Sequence, residues 1–280
     1  MCRHLAYMGP PTTLKSLLIE GPHALYEQSW RPLMQRHGTV NADGFGFGWY
    51  PAPKRGGSPE APARYRRAVP IWADANLPDL ARTVRSGAVL AAVRSATEGT
   101  TQDESAAAPF QEGQWLFSHN GAVADWGTMP VTLTSEELLG VQARSDSALL
   151  WAMVLRRLRR GEQVADALAA VVGEVAAARP TARLNLLLTD GISVAATTWG
   201  DTLWYWTGED SVTIASEPGA SPADVDAAPL GTAGPATDGG VAVGPWQRVP
   251  DRCVLLASPA DGVQITALPP SRPTEENGAQ

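Results

Sequence analysis

The sequence predicts an α+β fold, a four-layer αββα sandwich of stacked antiparallel sheets. Strand-like runs fall into two groups, one on each side of a pair of helices, without regular alternation of strand and helix. No repeat of 20 to 50 residues is present, which excludes solenoids and propellers. The 280 residues are enough for one large buried core, and no linker composition interrupts the chain before residue 218.

The elements follow in order. Residues 3–8 are apolar enough for a strand, and Thr12 or Thr13 can cap a helix running to about Glu20. FGFGWY at residues 45–50 alternates glycine with aromatics, as in a strand that another segment approaches closely. Residues 64–69 read as a strand and 74–85 as a helix. Two more strands follow, at 88–94 and at 114–118, the second running into His-Asn-Gly. Leu149, Leu150, Met153, Val154 and Leu158 recur at helical spacing within 145–160, and Gly161 closes that helix. A second helix spans 162–178 and stops before Pro180. Strand-like runs then begin at Leu184, Ile192, Thr202, Ser211, Cys253 and Val263. Residues 218–240, rich in Pro, Gly, Ala and Asp, read as a mobile loop, and 269–280 as a disordered polar tail.

Composition narrows the function. A net charge of −7 and a pI near 5.1 argue against nucleic-acid binding, which needs a basic surface. No apolar run is long enough to span a membrane, and the first residues lack the apolar stretch of a secretory signal, so a cytoplasmic location is expected. Cys2 and Cys253 form no disulfide framework and are too few for a zinc site.

Cys2 is the first candidate for chemistry. Removal of Met1 would place a thiol and a free α-amine on one residue. The amine titrates at about 7.7–8.0, so it can serve as base for the adjacent nucleophile. Four further motifs end in turns or open a helix: NADGFGFGWY at 41–50, RSATEG at 94–99, SHNG at 118–121 and SDS at 145–147. Loops at strand ends are held by a rigid sheet and commonly carry ligand groups. Each motif also has a plainer explanation. Asn120-Gly121 is a hairpin-turn dipeptide, Ser145-Asp146 a helix cap, Arg94 a surface ion-pair residue and Cys253 a buried core thiol.

Together, in order and spacing, MCRHLAY and these four motifs resemble the class II glutamine amidotransferases, which are N-terminal-nucleophile hydrolases. ASEP at 215–218 and WQRVP at 246–250 extend a weaker match to about residue 257. The resemblance implies one N-terminal-nucleophile domain over 2–257, with Cys2 as nucleophile. Asn120, through its amide, and Gly121, through its backbone N–H, would form the oxyanion hole. Arg94, supported by Thr97, would clamp the substrate α-carboxylate, and Asp146 would take the α-ammonium. Asp43 and Gly44 would shape the loop over Cys2. His4 and His119 would be structural, because the α-amine serves as base. No metal or organic cofactor is implied. Ser95 and Glu98 stand where the common version of the Arg94 motif has an aromatic residue and a histidine.

Within the family, the motif details resemble the stand-alone branch that hydrolyses γ-glutamyl-hercynylcysteine sulfoxide in ergothioneine biosynthesis. That implies a small-molecule substrate, no membrane or nucleic-acid partner, and no required synthase. Alternatives are a glutaminase subunit supplying ammonia to a separate synthase, a hydrolase of another γ-glutamyl peptide, and a non-catalytic glutamine sensor. Aromatic faces hold trimethylammonium groups. Trp30, Trp49, Tyr50, Trp72 and Trp115, all in the half of the chain with the motifs, are candidates to line such a subsite.

Overall fold

The computed structural model describes residues 2–52, 60–97, 99–219 and 246–269. Chain order begins with β1 (Arg3–Thr13), α1 (Leu14–Leu18), α2 (Leu25–Gln28), β2 (Phe45–Trp49), β3 (Ala63–Arg67), α3 (Leu77–Thr83) and β4 (Arg85–Val93). The middle of the chain supplies β5 (Phe110–Glu112), β6 (Trp115–Ala122), α4 (Ser135–Leu139), α5 (Asp146–Leu158) and α6 (Val164–Ala178). The last strands are β7 (Arg183–Thr189), β8 (Val194–Thr198), β9 (Trp204–Thr207), β10 (Val212–Ala215), β11 (Gln247–Arg248), β12 (Cys253–Ser258) and β13 (Gly262–Ala267).

Two antiparallel sheets result. One has the order β11-β9-β10-β1-β4-β2-β3, the other β13-β12-β8-β7-β6-β5. Alternation along the strands gives each sheet two apolar faces. On the first sheet, Tyr7, Phe45, Phe47, Val89 and Ala91 pack outward against Leu14, Leu17, Leu18 and Leu77 of the early helices. Ala6, Met8, Leu90 and Ile214 point inward and meet Leu116, Leu187, Ala196 and Leu255 of the second sheet. That sheet's other face packs under α5 and α6, where the Phe117 and Trp151 rings stack at 5.2 Å. Helices therefore cover both outer faces, which makes the four layers α, β, β, α. Each fully buried Leu or Phe side chain contributes about 1.5–3 kcal/mol of transfer free energy.

The glycines of β2 explain how closely the sheets approach. A Cβ on Gly48 would lie 2.6 Å from Leu116 Cδ1, and one on Gly46 would strike the Ala108 carbonyl oxygen. Only hydrogen fits on the inner face there, while Phe45 and Phe47 fill the outer one. Helix α5 begins as expected, with the Ser145 hydroxyl capping the Ala148 N–H, and Gly161 follows its end at φ +84°.

Some boundaries differ from expectation. β1 runs on to Thr13 past Gly9-Pro10-Pro11, with a register shift between Met8 and Thr12. Thr13 then caps α1 through its side chain. The short elements α2, α4, β5 and β11 carry too few residues to show a period. β13 reaches Ala267, past the residue-257 limit of the motifs. Apart from residues 218, 219 and 269, the expected loop and tail lie outside the described residues.

Candidate active site

Cys2 stands at the start of β1, in the middle of the first sheet. Arg3 pairs with Val93 of β4, which also pairs with Phe45 of β2, so the 41–44 turn and the 94–97 loop emerge beside Cys2. The Cys2 thiol lies 3.9 Å from the Ser95 carbonyl oxygen.

Arg94 is buried, and its guanidinium meets only neutral acceptors. Nη2 donates to Thr100 Oγ1 at 3.0 Å and to the Thr101 carbonyl at 2.8 Å, and Nη1 donates to the Asp43 carbonyl at 3.3 Å. Among the described residues no carboxylate lies within ion-pairing distance of it. A buried cation with no directly paired carboxylate costs stability, and an arriving anion relieves that cost. Asp43 holds the loop through its backbone, which pairs with Arg94, and through its carboxylate, which accepts the Ala96 N–H at 2.8 Å. Gly44 sits at φ +134°, where a Cβ would press on the Arg67 carbonyl. Thr97 stands one step back: its side chain is exposed, and its carbonyl accepts the Thr100 hydroxyl at 2.7 Å. Glu98 lies outside the described residues.

Asn120 and Gly121 form no turn. Both lie within β6, opposite Asn185 and Leu184 of β7. A Cβ on Gly121 would collide with the Arg183 carbonyl oxygen, so glycine is required whatever its catalytic part. Asn120 is fully buried; its Nδ2 lies 3.3 Å from Ser216 Oγ, and among the described residues its Oδ1 has no hydrogen-bond partner. Asp146 is not the cap of α5, a position Ser145 fills. Its Oδ2 accepts the Val123 N–H at 3.0 Å and Oδ1 accepts Ser147 N–H at 2.8 Å, leaving lone pairs on both oxygens. The Thr101 and Arg144 backbones are joined, which links the Arg94 loop to the start of α5.

Both histidines are engaged. His119 bonds Ser147 Oγ through Nδ1 and donates from Nε2 to the Arg183 carbonyl. His4 Nδ1 meets Ser118 Oγ at 3.2 Å, and burial, with Arg3 and His119 nearby, pushes its pKa well below the usual imidazole value.

Behind Cys2, on the helix side of β1, lies a buried ionic cluster that sequence reasoning missed. Arg3 Nε lies 3.2 Å from Glu217 Oε1, and Glu217 Oε2 accepts from His23 Nε2 and from the Leu33 N–H, each at 2.8 Å. Burial alone would raise the Glu217 carboxyl. The His23 hydrogen bond, the Arg3 charge and the Leu33 amide outweigh it and hold the group below the ordinary carboxylate range. The signal was present in ASEP, which holds Ser216 and Glu217, but its partners lie some two hundred residues away in the chain. Thr100 and Thr101, which hold Arg94, were also missed.

Three of the five candidate aromatics lie away from Cys2. Trp49 pairs with Val89, which pairs with Tyr7, so Trp49 and its neighbour Tyr50 lie up the strands from Cys2 by about 16–20 Å. Trp115 starts β6, the strand end remote from Asn120. Trp30 and Trp72 meet edge to face at 5.8 Å, both partly exposed, and Trp30 lies in the 29–41 segment, whose Gln35 accepts from Arg3. Cys253 is a buried thiol whose pKa is raised by burial and by Asp251.

Comparison with known proteins gives the family and the fold. The family model described as glutamine amidotransferases class-II matches residues 17–211. The chain is 43% identical over 219 residues to the γ-glutamyl-hercynylcysteine sulfoxide hydrolase of Mycolicibacterium smegmatis, covering 78% of this chain and 88% of that one. It is 37% identical over 268 residues to the hydrolase of the same name from Mycobacterium tuberculosis, covering 96% and 97%. A glutamine aminotransferase class-II domain protein from Silicibacter pomeroyi shares the fold, with a TM-score of 0.60, 22% identity, and coverage of 96% of this chain and 100% of that one.

Proposed function

Because this chain belongs to the class II glutamine amidotransferase family, we propose that it hydrolyses the γ-glutamyl amide bond of γ-glutamyl-hercynylcysteine sulfoxide, releasing glutamate and hercynylcysteine sulfoxide. The amine half of the substrate is taken from the 37% and 43% identical relatives that carry that name. The observation that carries the glutamyl half is Arg94, a buried guanidinium held by neutral acceptors on the loop whose Ser95 carbonyl touches Cys2.

In this reading Met1 is removed and the Cys2 thiolate attacks the γ-carbonyl carbon. The negative charge moves to the carbonyl oxygen, which takes hydrogen bonds from the Asn120 amide and the Gly121 N–H. Arg94 pairs with the α-carboxylate, and the free lone pairs of Asp146 accept the α-ammonium. The C–N bond breaks, and the Cys2 α-ammonium gives the departing amine its proton. Water, deprotonated by the same amine, then hydrolyses the γ-glutamyl thioester and restores the thiol. Arg94 and Asp146 read the two charges of a glutamyl group, and the exposed pair Trp30 and Trp72 is the candidate to meet the trimethylammonium of the amine half. The enzyme works on a small molecule in the cytoplasm, without nucleic acid or a synthase partner.

The test is glutamate release from the sulfoxide and, separately, from glutamine, by the wild type and Cys2→Ala, with the intact mass of each. Loss of the Met1 mass, preference for the sulfoxide and no release by the mutant are expected. Glutamine turned over as fast as the sulfoxide would replace this reading with an ammonia-supplying subunit.

A further inference from the structure

We propose that Ser216 is a positioning residue that sets which way the Asn120 amide faces. This rests on the reading that Asn120 lends its amide N–H to the oxyanion. Ser216 lies just past β10 and is fully buried. It is joined to β1 twice: its N–H donates to the His4 carbonyl at 3.0 Å, and its Oγ accepts the His4 N–H at 3.0 Å. A third bond fixes its backbone, as Thr202 Oγ1 donates to its carbonyl at 2.8 Å. The hydroxyl is thus held in place by the strand that begins next to Cys2.

In the arrangement described, Ser216 Oγ receives both the His4 N–H and Asn120 Nδ2, while Asn120 Oδ1 is buried with no partner. A hydroxyl has one hydrogen to donate, and a buried carbonyl oxygen without a donor costs about 1–3 kcal/mol. A half-turn of the amide about χ2 resolves both. Ser216 Oγ–H then donates to Oδ1, and Oγ keeps the His4 N–H. The NH2 group then takes the place of the orphaned oxygen. A carbonyl oxygen there would repel an oxyanion, and an NH2 group would bind it. The two orientations have nearly the same shape, so packing alone selects neither. The Ser216 hydroxyl makes the selection, because only the turned amide gives its hydrogen an acceptor and leaves Oδ1 with a donor.

The experiment compares Ser216→Ala, Asn120→Ala and the double variant in hydrolysis of γ-glutamyl-hercynylcysteine sulfoxide, with thermal melting of each. Ser216→Ala should lower kcat about 10-fold with KM within about twofold, because ground-state contacts to the glutamyl end are intact. Asn120→Ala should lower kcat about 100-fold or more. The double variant should be no slower than Asn120→Ala, since an amide that is absent cannot be misdirected. Ser216→Cys, of nearly the same volume but a weaker donor, should lose part of kcat at an unchanged melting temperature, and it stands in if the alanine variant fails to fold. Unchanged kcat in Ser216→Ala or Ser216→Cys, with Asn120→Ala impaired, overturns the proposal and leaves the oxyanion reading in place. Additive losses in the double variant also overturn it. Full activity in Asn120→Ala removes the oxyanion reading itself, and the role of Ser216 with it.

Discussion

The two ends of the sandwich are built from the same strands and differ in kind. At the Cys2 end the space between the sheets is filled by buried polar side chains, His4, Ser118, Asn120 and Ser216. At the far end, about 20 Å along β1, a cavity of about 390 Å³ opens, lined by Met8, Gly9, Tyr50, Ser86, Gly191 and Ile192 among others. Volume alone would place a ligand in the cavity. Unused bonding capacity supports the proposed site at the other end, where, among the described residues, Arg94 meets only neutral hydrogen-bond acceptors and Asn120 Oδ1 has no donor. At the cavity end Tyr50 is satisfied, its hydroxyl lying 2.7 Å from the Gln114 carbonyl and 2.8 Å from that of Thr189. In the proposed reading the first end has bonds left to make with a substrate, while Tyr50 at the other has spent its own on the fold.

That contrast can be broken by substitutions at either end. The largest effect is expected at Arg94. Arg94→Gln removes one partner of a desolvated charge pair, worth about 2–5 kcal/mol, so kcat/KM for the sulfoxide should fall about 30-fold or more while the protein stays folded by circular dichroism. Equal kcat/KM in the variant would move the carboxylate site elsewhere. At the cavity end, Tyr50→Phe should cost about 1–3 kcal/mol of stability in denaturant unfolding, with kcat unchanged. Lost kcat at full stability would mean that the cavity serves the reaction.

The smallest effect concerns pH. The His4 pKa is depressed in the folded state, so below the unfolded value of 6.5 the unfolded chain binds a proton that the native one refuses. Stability is full above that value and is lost as pH falls. His4 should contribute about 1 kcal/mol of loss between pH 7 and 5.5. His4→Gln should flatten that slope in urea titrations; the same slope in the variant would put the titrating group elsewhere. Glu217, also depressed, adds its loss only at lower pH.

The strands and long helices were legible because their periods repeat over enough residues. Phe45 and Phe47 outward with Gly46 and Gly48 inward is the alternation FGFGWY announces. The capping box of α4, Thr134 with Glu137, was in the sequence but heads a helix of only five residues. The motifs singled out Arg94, just past β4, Asn120, near the end of β6, and Asp146, at the start of α5. They could not show that Thr100 holds Arg94, that Ser216 faces Asn120 or that Arg3 meets Glu217. These bonds depend on which face each residue presents after folding. The five aromatics were pooled for the opposite reason: nearness in sequence along a strand still separates Trp49 and Tyr50 from Cys2 by several residues of extended chain.

The placement of β1 has a consequence in time. Its neighbours are β4, about eighty residues on, and β10, whose first residue is 212. At a synthesis rate of roughly 5–20 residues per second, about 10–40 seconds separate the making of β1 from the making of its second neighbour. Until then the opening segment of the sheet has one open edge, and its start is reachable by the processing enzymes that meet a nascent chain. In the proposed mechanism, the processing that bares the Cys2 amine meets a first strand whose second edge is open until the residues around 212 emerge and pair.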